Sequence, residues 1–191
     1  MPNRPEILES KVVATSRLFK VEELKLKFTN GVQRTYERLV SQGSGAVMIV
    51  AVNDKEELIL IREYAGGFHD YVLTFPKGMI DPGEDALTAA NRELMEETGY
   101  GAHQLELITR LSLAPNYMGH KMDVVMARNL YPCRLEGDEP EPLEVVSHPI
   151  KNWEELVSNV DFHEARSLAA LFLVREKLLN EQKQQQELKG A

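Results

Sequence analysis

Three glutamates stand close together near the middle of this sequence, within the stretch GMIDPGEDALTAANRELMEETGY at residues 78–100. Helix-forming residues dominate its second half, so we predict a helix that ends just before Gly99. Glu93, Glu96 and Glu97 are spaced i, i+3 and i+4, which places their carboxylates on one side of that helix. Like charges at this spacing repel each other, and a divalent cation would relieve the repulsion. Oxygen ligands without His or Cys favour Mg²⁺ or Mn²⁺ over zinc.

A solvated acidic helix face is the simpler interpretation of these glutamates. Two further residues set the stretch apart from such a face: Glu84 follows Gly78 by six positions in a Gly-Pro-rich loop, and Arg92 lies one turn before Glu96. The whole string resembles the signature of the Nudix hydrolases, which reads Gly, five residues, Glu, seven residues, then Arg-Glu-aliphatic-x-Glu-Glu-x-Gly-aliphatic. Every fixed position matches, and only Tyr100 departs, at the closing aliphatic position.

The resemblance implies an α/β/α sandwich with a mixed sheet, and hydrolysis of the pyrophosphate linkage in a nucleoside diphosphate joined to another group. A cluster of acidic oxygens that holds Mg²⁺ or Mn²⁺ suits attack by water on phosphorus. We assign the metal ligands, in falling order of priority, as Glu93 and Glu97, then Glu96, then Glu84 acting through water, with the loop carbonyls around Lys77 as an addition.

Catalytic roles beyond the ligands fall to Arg92 and to an acidic loop. We interpret Arg92 as a residue that orients a signature carboxylate, and the alternative is a surface salt bridge to Glu96. In the ADP-sugar pyrophosphatases of this superfamily, the general base often comes from an acidic loop after the signature, and residues 136–142 occupy that place. The resemblance therefore favours Glu139 as the base, with Glu141 second. A merely solvated acidic loop is the alternative.

Four residues are candidates for contact with the substrate. Pro115 lies 15 positions after Tyr100 and resembles a marker of ADP-ribose pyrophosphatases, whereas Tyr117, at position 17, resembles that of diadenosine polyphosphate hydrolases. Together they indicate a site for several adenosine diphosphate compounds, in which Tyr117 can stack on a base. A proline turn with a packed tyrosine is the alternative. Arg38 and Arg62 are candidate phosphate or ribose contacts, and surface salt bridging is their alternative role.

Similarity extends beyond the signature, through strings such as YERLV, LILIREYA and FHEARSLAALFLVRE, over most of residues 10–178. Here the chain resembles bacterial Nudix enzymes that hydrolyse ADP-ribose, diadenosine triphosphate and NADH with release of AMP. Two positions depart from the ADP-ribose pyrophosphatases: Ala65 replaces a frequent Arg, and Val72 and Thr74 stand where a Glu is often found. A non-catalytic nucleotide sensor would not need the complete set of charged residues. An isopentenyl-diphosphate isomerase would need a cysteine in its pocket, whereas Cys133 falls in a predicted loop.

The composition limits the classes of partner and the cellular compartments that we expect for this protein. A formal net charge of −8 disfavours nucleic acids and anionic membranes as partners, so we expect small ADP-linked molecules instead. One cysteine excludes an intrachain disulfide and favours a reducing compartment. The N-terminal segment has no apolar signal core, and the longest apolar run, residues 46–52, is too short to span a bilayer. We therefore predict a cytoplasmic protein.

The elements that must position the site follow from hydrophobic periodicity. Alternation around residues 24–28 and the Asn30–Gly31 turn predict an N-terminal hairpin. The apolar run at residues 45–53 predicts a fully buried strand. Helices are predicted to start at Asn152 and Asp161, each followed three residues later by an acid. Further strands are predicted at residues 57–65, 71–75, 105–113, 121–130 and 143–147.

These elements indicate an α/β protein in which helices cover a mixed sheet. We divide the chain into an N-terminal β meander, residues 1–42, a Nudix hydrolase domain, residues 43–180, and a flexible tail, residues 181–191. The first nine residues are expected to be loosely held. An exposed strand pair is a liability on its own, and the N-terminal strands of ADP-sugar pyrophosphatases pack on the partner subunit. We therefore predict a homodimer with residues 11–40 at the interface, and the alternative is a monomer that folds the hairpin back.

Overall fold

The computed structural model describes residues 3–40 and 43–190, with the side chains of 189 and 190 left aside. The strands in this part of the chain are β1 (Glu6–Thr15), β2 (Lys20–Lys27), β3 (Gln33–Leu39), β4 (Ala46–Val52), β5 (Glu57–Ala65), β6 (Asp70–Thr74), β7 (Lys77–Met79), β8 (Tyr100–Ser112), β9 (Lys121–Pro132) and β10 (Glu144–Pro149). The helices are α1 (Ala86–Thr98), α2 (Trp153–Val157), which follows a 3₁₀ turn, and α3 (Ala165–Gly190). Within these residues, no helix has the length and apolar character needed to cross a membrane.

The central sheet is mixed, as the sequence predicted. Its strands run in the order β10-β5-β4-β9-β8, with β6 paired to β5 and β7 paired to β4. Strands β4 and β9 are parallel, whereas the other pairs are antiparallel. Strand β4 therefore lies in the interior of the sheet, where an unbroken apolar run is the expected sequence.

Alternate residues of β4 face the two sides of the sheet, and each side has its own hydrophobic core. Val47 and Ile49 pack with Leu94 of α1 on one side. Met48 packs in the other core, which includes Leu171 of α3. Because successive side chains of a strand point in opposite directions, one buried strand is covered by helices on both faces. The α/β/α sandwich expected from the sequence is confirmed.

Helix α1 begins and ends where its sequence indicates. The Asp85 carboxylate accepts hydrogen bonds from the backbone N–H groups of Leu87 and Thr88, as an N-cap residue does. Gly99 ends the helix with φ of +78°, a left-handed conformation that favours glycine. Both ends are therefore fixed, which sets the direction of every carboxylate on the helix between them.

The chain departs from the sequence-based predictions at both ends. Residues 6–9 were expected to be loosely held, but they belong to β1, which pairs along its length with β2. The predicted loss of helical structure after Asn180 is wrong, because α3 continues to Gly190. The flexible tail at residues 181–191, whose last residue lies outside the described part of the chain, stays a prediction. An ion pair from Arg128 of β9 to Glu181, at 2.6 Å, connects the first residue of this segment to the sheet.

The start of α3 also differs from the prediction. Asp161 does not cap the helix; its carboxylate accepts a hydrogen bond from Arg62 at 2.9 Å. Glu164 takes the capping position instead, since its side chain accepts from the backbone N–H of Ser167 at 2.8 Å. The predicted start at Asn152 agrees with its position before α2. The predicted boundary between the meander and the hydrolase domain lies after Gln42, which is outside the described residues.

Strands β1, β2 and β3 form a separate antiparallel sheet, and the predicted hairpin is confirmed. A backbone hydrogen bond from Leu39 to the carbonyl of Tyr117, at 2.7 Å, connects this sheet to the loop before β9. Every residue of β1 is exposed. Large hydrophobic side chains exposed on this sheet and its turns include Ile7, Leu8, Val12, Val13, Phe19 and Tyr36.

Candidate active site

The glutamates of α1 line one cavity of about 470 Å³, which we call the carboxylate cavity. One wall carries Glu93, Glu96 and Glu97, and β7 contributes Lys77–Met79. Residues 136–139 of the acidic loop form part of the lining as well. The structure therefore brings together the signature carboxylates and the acidic loop, which the sequence separates by about forty residues.

Glu97 is the most deeply buried of the three helical glutamates, with only 7% of its surface exposed. Its carboxylate accepts a hydrogen bond from the backbone N–H of Lys77 at 2.9 Å. No Lys, Arg or His side chain in the described residues forms an ion pair with it. Burial raises the pKa of this carboxyl from 4.5 to about 8, because a charged group loses hydration there. A cation placed beside Glu97 would supply the missing charge compensation.

Glu93 depends on the absence of a side chain at Gly78. Pairing of β7 with β4 places Gly78 opposite Val47 in the sheet. A Cβ atom added at Gly78 would lie 2.0 Å from the Cδ of Glu93, well inside van der Waals contact. The glycine of the signature therefore leaves the space that the Glu93 carboxylate occupies.

We predict that Gly78→Ala lowers kcat by about tenfold, because the new methyl group displaces the Glu93 carboxylate. The carboxylate is the far end of a flexible side chain, so it can move aside and we expect little change in the unfolding midpoint. The control is a double-mutant cycle with Glu93→Ala. Once Glu93 is truncated, adding Gly78→Ala is expected to have no further effect on kcat. Additive losses would contradict the proposed displacement.

Arg92 contacts several signature groups at once. Its guanidinium donates hydrogen bonds to Glu84 at 3.0 Å, to Glu93 at 2.8 Å and to Glu96 at 3.0 Å. A fourth partner is the backbone carbonyl of Met79, at 2.9 Å. An isolated surface pair with Glu96 would not have this geometry. Arg92 thereby holds three carboxylates whose mutual repulsion would otherwise separate them.

Glu139 and Glu141 occupy different positions in the acidic loop. Glu139 lines the carboxylate cavity, and partial burial raises its pKa, as do the charges of Glu63 and Asp138. Glu141 instead accepts a hydrogen bond from the hydroxyl of Tyr71. Both loop residues line an adjoining cavity together with the α1 glutamates, and they differ in that the Glu141 carboxylate is engaged by Tyr71.

The residues of this cavity fit an oxygen-ligated divalent cation. In residues 3–40 and 43–190, no three His, Cys, Asp or Glu side chains converge on one point as a formed metal centre. Three of the signature carboxylates, Glu84, Glu93 and Glu96, are instead paired with the guanidinium of Arg92. The donors are nevertheless all oxygens, and Glu97 is a buried carboxylate that forms no ion pair with any described residue. Both properties suit a hard cation such as Mg²⁺.

The predicted substrate contacts lie outside the carboxylate cavity. Arg62 donates to Asp161 and Glu144, at 2.9 and 3.2 Å, and lines a neighbouring cavity of about 310 Å³ with Tyr71. Arg38 donates to a carboxylate in the N-terminal sheet at 2.5 Å.

Pro115 and Tyr117 belong to a loop turn beside the end of β3. Tyr117 is 54% exposed, so its ring is not packed in the core. The backbone bond from Leu39 places this turn next to the strand that carries Arg38. The structure thus brings together the loop and the N-terminal sheet, which are far apart in the sequence. Local periodicity does not predict this contact.

Two site residues were missed by the sequence analysis. Glu63 pairs with the ammonium group of Lys77 at the edge of the carboxylate cavity. Asp138 lines the same cavity beside Glu139. The sequence does indicate the side of the sheet on which Glu63 lies. It follows Arg62 in β5, so the two side chains point to opposite faces. Nothing local in the sequence indicates that Lys77 is its partner.

The fold and this site can now be compared with known proteins. The NUDIX domain profile matches residues 44–182, and the profile of the NudE-type Nudix hydrolase N-terminal domain matches residues 5–38. The chain is 54% identical over 173 residues to the ADP compounds hydrolase NudE of Escherichia coli (strain K12), covering 91% of this chain and 92% of that protein. It is 28% identical over 173 residues to the ADP-ribose pyrophosphatase of Bacillus subtilis (strain 168), covering 86% and 91% of the two chains. A crystal structure of an ADP compounds hydrolase superposes with a TM-score of 0.90 at 52% identity, covering 95% and 97%.

Proposed function

This chain belongs to the NUDIX domain family, and on that premise we propose that it hydrolyses the pyrophosphate linkage of ADP compounds with release of AMP. The observation that carries the proposal is the carboxylate cavity, which is lined by Glu93, Glu96, Glu97 and Arg92. Arg92 also binds the fourth signature glutamate, Glu84. ADP-ribose, diadenosine triphosphate and NADH are the substrates we propose. A broader ADP-sugar pyrophosphatase activity is the second candidate, since the chain is also 28% identical over 164 residues to the ADP-sugar pyrophosphatase of Mus musculus, covering 78% and 75% of the two chains.

Nudix hydrolases depend on divalent metals, and we propose Mg²⁺ or Mn²⁺ for this chain. Glu93 and Glu97 would hold the ion, with Glu96, the backbone at Lys77 and, through water, Glu84 as further ligands. When bound, the ion would neutralise phosphate oxygens and make the attacking water more acidic.

Other roles belong to side chains of the chain itself. Glu139 accepts the proton of the attacking water, because its carboxylate faces the cavity and its raised pKa strengthens it as a base. Arg92 keeps the signature carboxylates in place. These two roles are separable, because one acts on water and the other on the ligands.

A substrate panel on the purified protein tests the proposal. ADP-ribose, diadenosine triphosphate and NADH are each incubated with Mg²⁺ or Mn²⁺, and released AMP is measured by chromatography. We expect AMP from all three and no release after addition of a chelator. Binding without turnover would favour a nucleotide sensor instead, and turnover of other ADP-sugars at equal rates would favour the broader pyrophosphatase. The cytoplasmic location stays a prediction.

We further propose that the chain forms a homodimer through its N-terminal sheet. Val12 of β1 is 55% exposed, and Ile7 is equally exposed on the same strand. Burial of apolar surface stabilises association, at about 25 cal/mol per Å² removed from water. A second copy of the chain would cover this surface and the outer edge of β1, which pairs with no other strand among the described residues.

Light scattering at micromolar concentration is expected to give twice the chain mass of 21.7 kDa. Val12→Glu should reduce this mass toward that of one chain, because it places a charge in the interface. Val160→Glu is the matched control, since Val160 is 85% exposed and lies outside the N-terminal sheet. A monomeric wild type with full ADP-ribose hydrolysis would contradict the proposed dimer and would show that hydrolysis needs no second copy of the chain.

A further inference from the structure

A second cavity of about 530 Å³ lies beside the carboxylate cavity. It is bounded by the turn between β5 and β6, which carries Phe68, and by the beginning of α3, which carries Arg166. His163 and Leu113 also line it. We call it the ring cavity. None of the roles proposed so far for metal binding or proton transfer uses these four residues.

The two cavities meet at Lys77. Its backbone N–H binds Glu97 in the carboxylate cavity, and its ammonium group pairs with Glu63. Both Lys77 and Glu63 line the ring cavity as well. A substrate whose diphosphate lies at the signature glutamates can therefore extend past Lys77 into the ring cavity and stay in contact with the protein.

The opening of the ring cavity presents an aromatic pair. Phe68 is 71% exposed, whereas phenylalanine side chains are usually buried in the core. Its ring contacts the imidazole of His163 edge to face, with centroids 5.1 Å apart and an interplanar angle of 75°. An exposed aromatic ring on a turn is a suitable surface for stacking by a planar base.

Polar donors lie behind this pair. The Arg166 guanidinium binds the Glu164 carboxylate through its Nε atom. In the described part of the chain, its two terminal nitrogens donate no hydrogen bond to another residue. Arg166 is only 22% exposed, so these donors are held in place beside the cavity. They suit a phosphate oxygen or a ribose hydroxyl. Ala65 and Val72 add uncharged lining, and the two carboxylates of the lining, Glu63 and Glu164, are paired with Lys77 and Arg166.

We propose that the ring cavity binds the second nucleoside 5′-phosphate of dinucleotide substrates, with its base stacked on Phe68 and His163 and its sugar or phosphate held by Arg166. The proposal rests on the proposed hydrolysis of ADP compounds. It makes Phe68 a specificity-determining residue that favours two-base substrates such as diadenosine triphosphate over ADP-ribose, which has no second base to stack.

The test is the ratio of kcat/KM for diadenosine triphosphate to kcat/KM for ADP-ribose, measured with the full chain and Mg²⁺. Phe68→Ala is expected to lower this ratio about tenfold, in keeping with the value of one base–aromatic stack. Phe68→Leu, which keeps apolar volume but removes the ring, should lower it by a similar factor. Phe68→Tyr keeps the ring and should preserve the ratio.

A second variant guards against a local effect of the turn. His163→Ala is expected to lower the same ratio, because it removes the other ring of the pair. An unchanged ratio in both Phe68→Ala and His163→Ala would overturn the proposal, whether the variants keep full activity or lose it equally on both substrates. Failure of the proposed function has a different signature, since the wild-type protein would then hydrolyse neither compound.

Discussion

Glu97→Gln is expected to lower kcat at least a hundredfold, which corresponds to roughly 3 kcal/mol of transition-state stabilisation. Glutamine keeps the oxygen that accepts from the backbone of Lys77, so the local fold should persist. It removes the negative charge that a divalent cation requires at this position. Steady-state kinetics with ADP-ribose and Mg²⁺, together with calorimetric measurement of Mg²⁺ binding, check this prediction. Near-normal turnover would remove Glu97 from the metal site.

The stability of the metal-free protein supplies an independent check on Glu97. Its folded carboxyl has a pKa of about 8, above the ordinary 4.5, so the folded state binds more protons than the unfolded state between these values. The free energy of unfolding should therefore fall as pH rises through that window. Glu97→Gln removes this contribution. In the presence of a chelator, the variant should melt at a higher temperature than wild type at pH 8 and at a similar temperature at pH 5.

Glu139→Gln is expected to have the second large effect, a loss in kcat on the order of a hundredfold. The amide cannot accept the proton of the attacking water, whereas the four signature glutamates remain intact. Affinity for Mg²⁺ should therefore change little, which distinguishes this variant from Glu97→Gln. Single-turnover hydrolysis of ADP-ribose and titration with the metal measure the two quantities separately.

Glu141→Gln is the matched control for the acidic loop. Its side chain would still accept a hydrogen bond from the Tyr71 hydroxyl, so the loop conformation should be kept. We expect near-normal kcat for this variant. Full activity in both loop variants would move the base into the signature, where Glu84 and Glu96 are the next candidates. A large loss in Glu141→Gln alone would reverse the order of the two loop residues.

Much of the fold was predictable because it depends on local periodicity. The apolar run of β4 predicted a strand buried on both faces, and the spacing of Glu93, Glu96 and Glu97 predicted a shared helix side. Asp85 and Gly99 delimit the helix through contacts within a few residues. Each of these features follows from backbone geometry that repeats every two or four residues, so neighbouring sequence is sufficient to indicate it.

The end of α3 shows where such reasoning fails. The Gln-rich composition after Asn180 carries no apolar face, which suggested a tail. The helix nevertheless continues, with Glu181 held by Arg128 from a strand more than fifty residues away in sequence. An anchoring contact of this kind leaves no mark on the local pattern at either residue.

The sequence by itself determined which residue types and spacings meet on α1, and therefore the oxygen-rich chemistry of the site. Only the tertiary structure decided how much water each carboxylate keeps. Glu97 and Glu96 are neighbours on one helix, yet burial raises the pKa of Glu97, whereas Glu96 pairs with Arg92. Tertiary packing also brought Glu139 to the same cavity and joined Lys77 to Glu63. Hydration and long-range pairing depend on every element that packs around a group, so no local pattern can specify them.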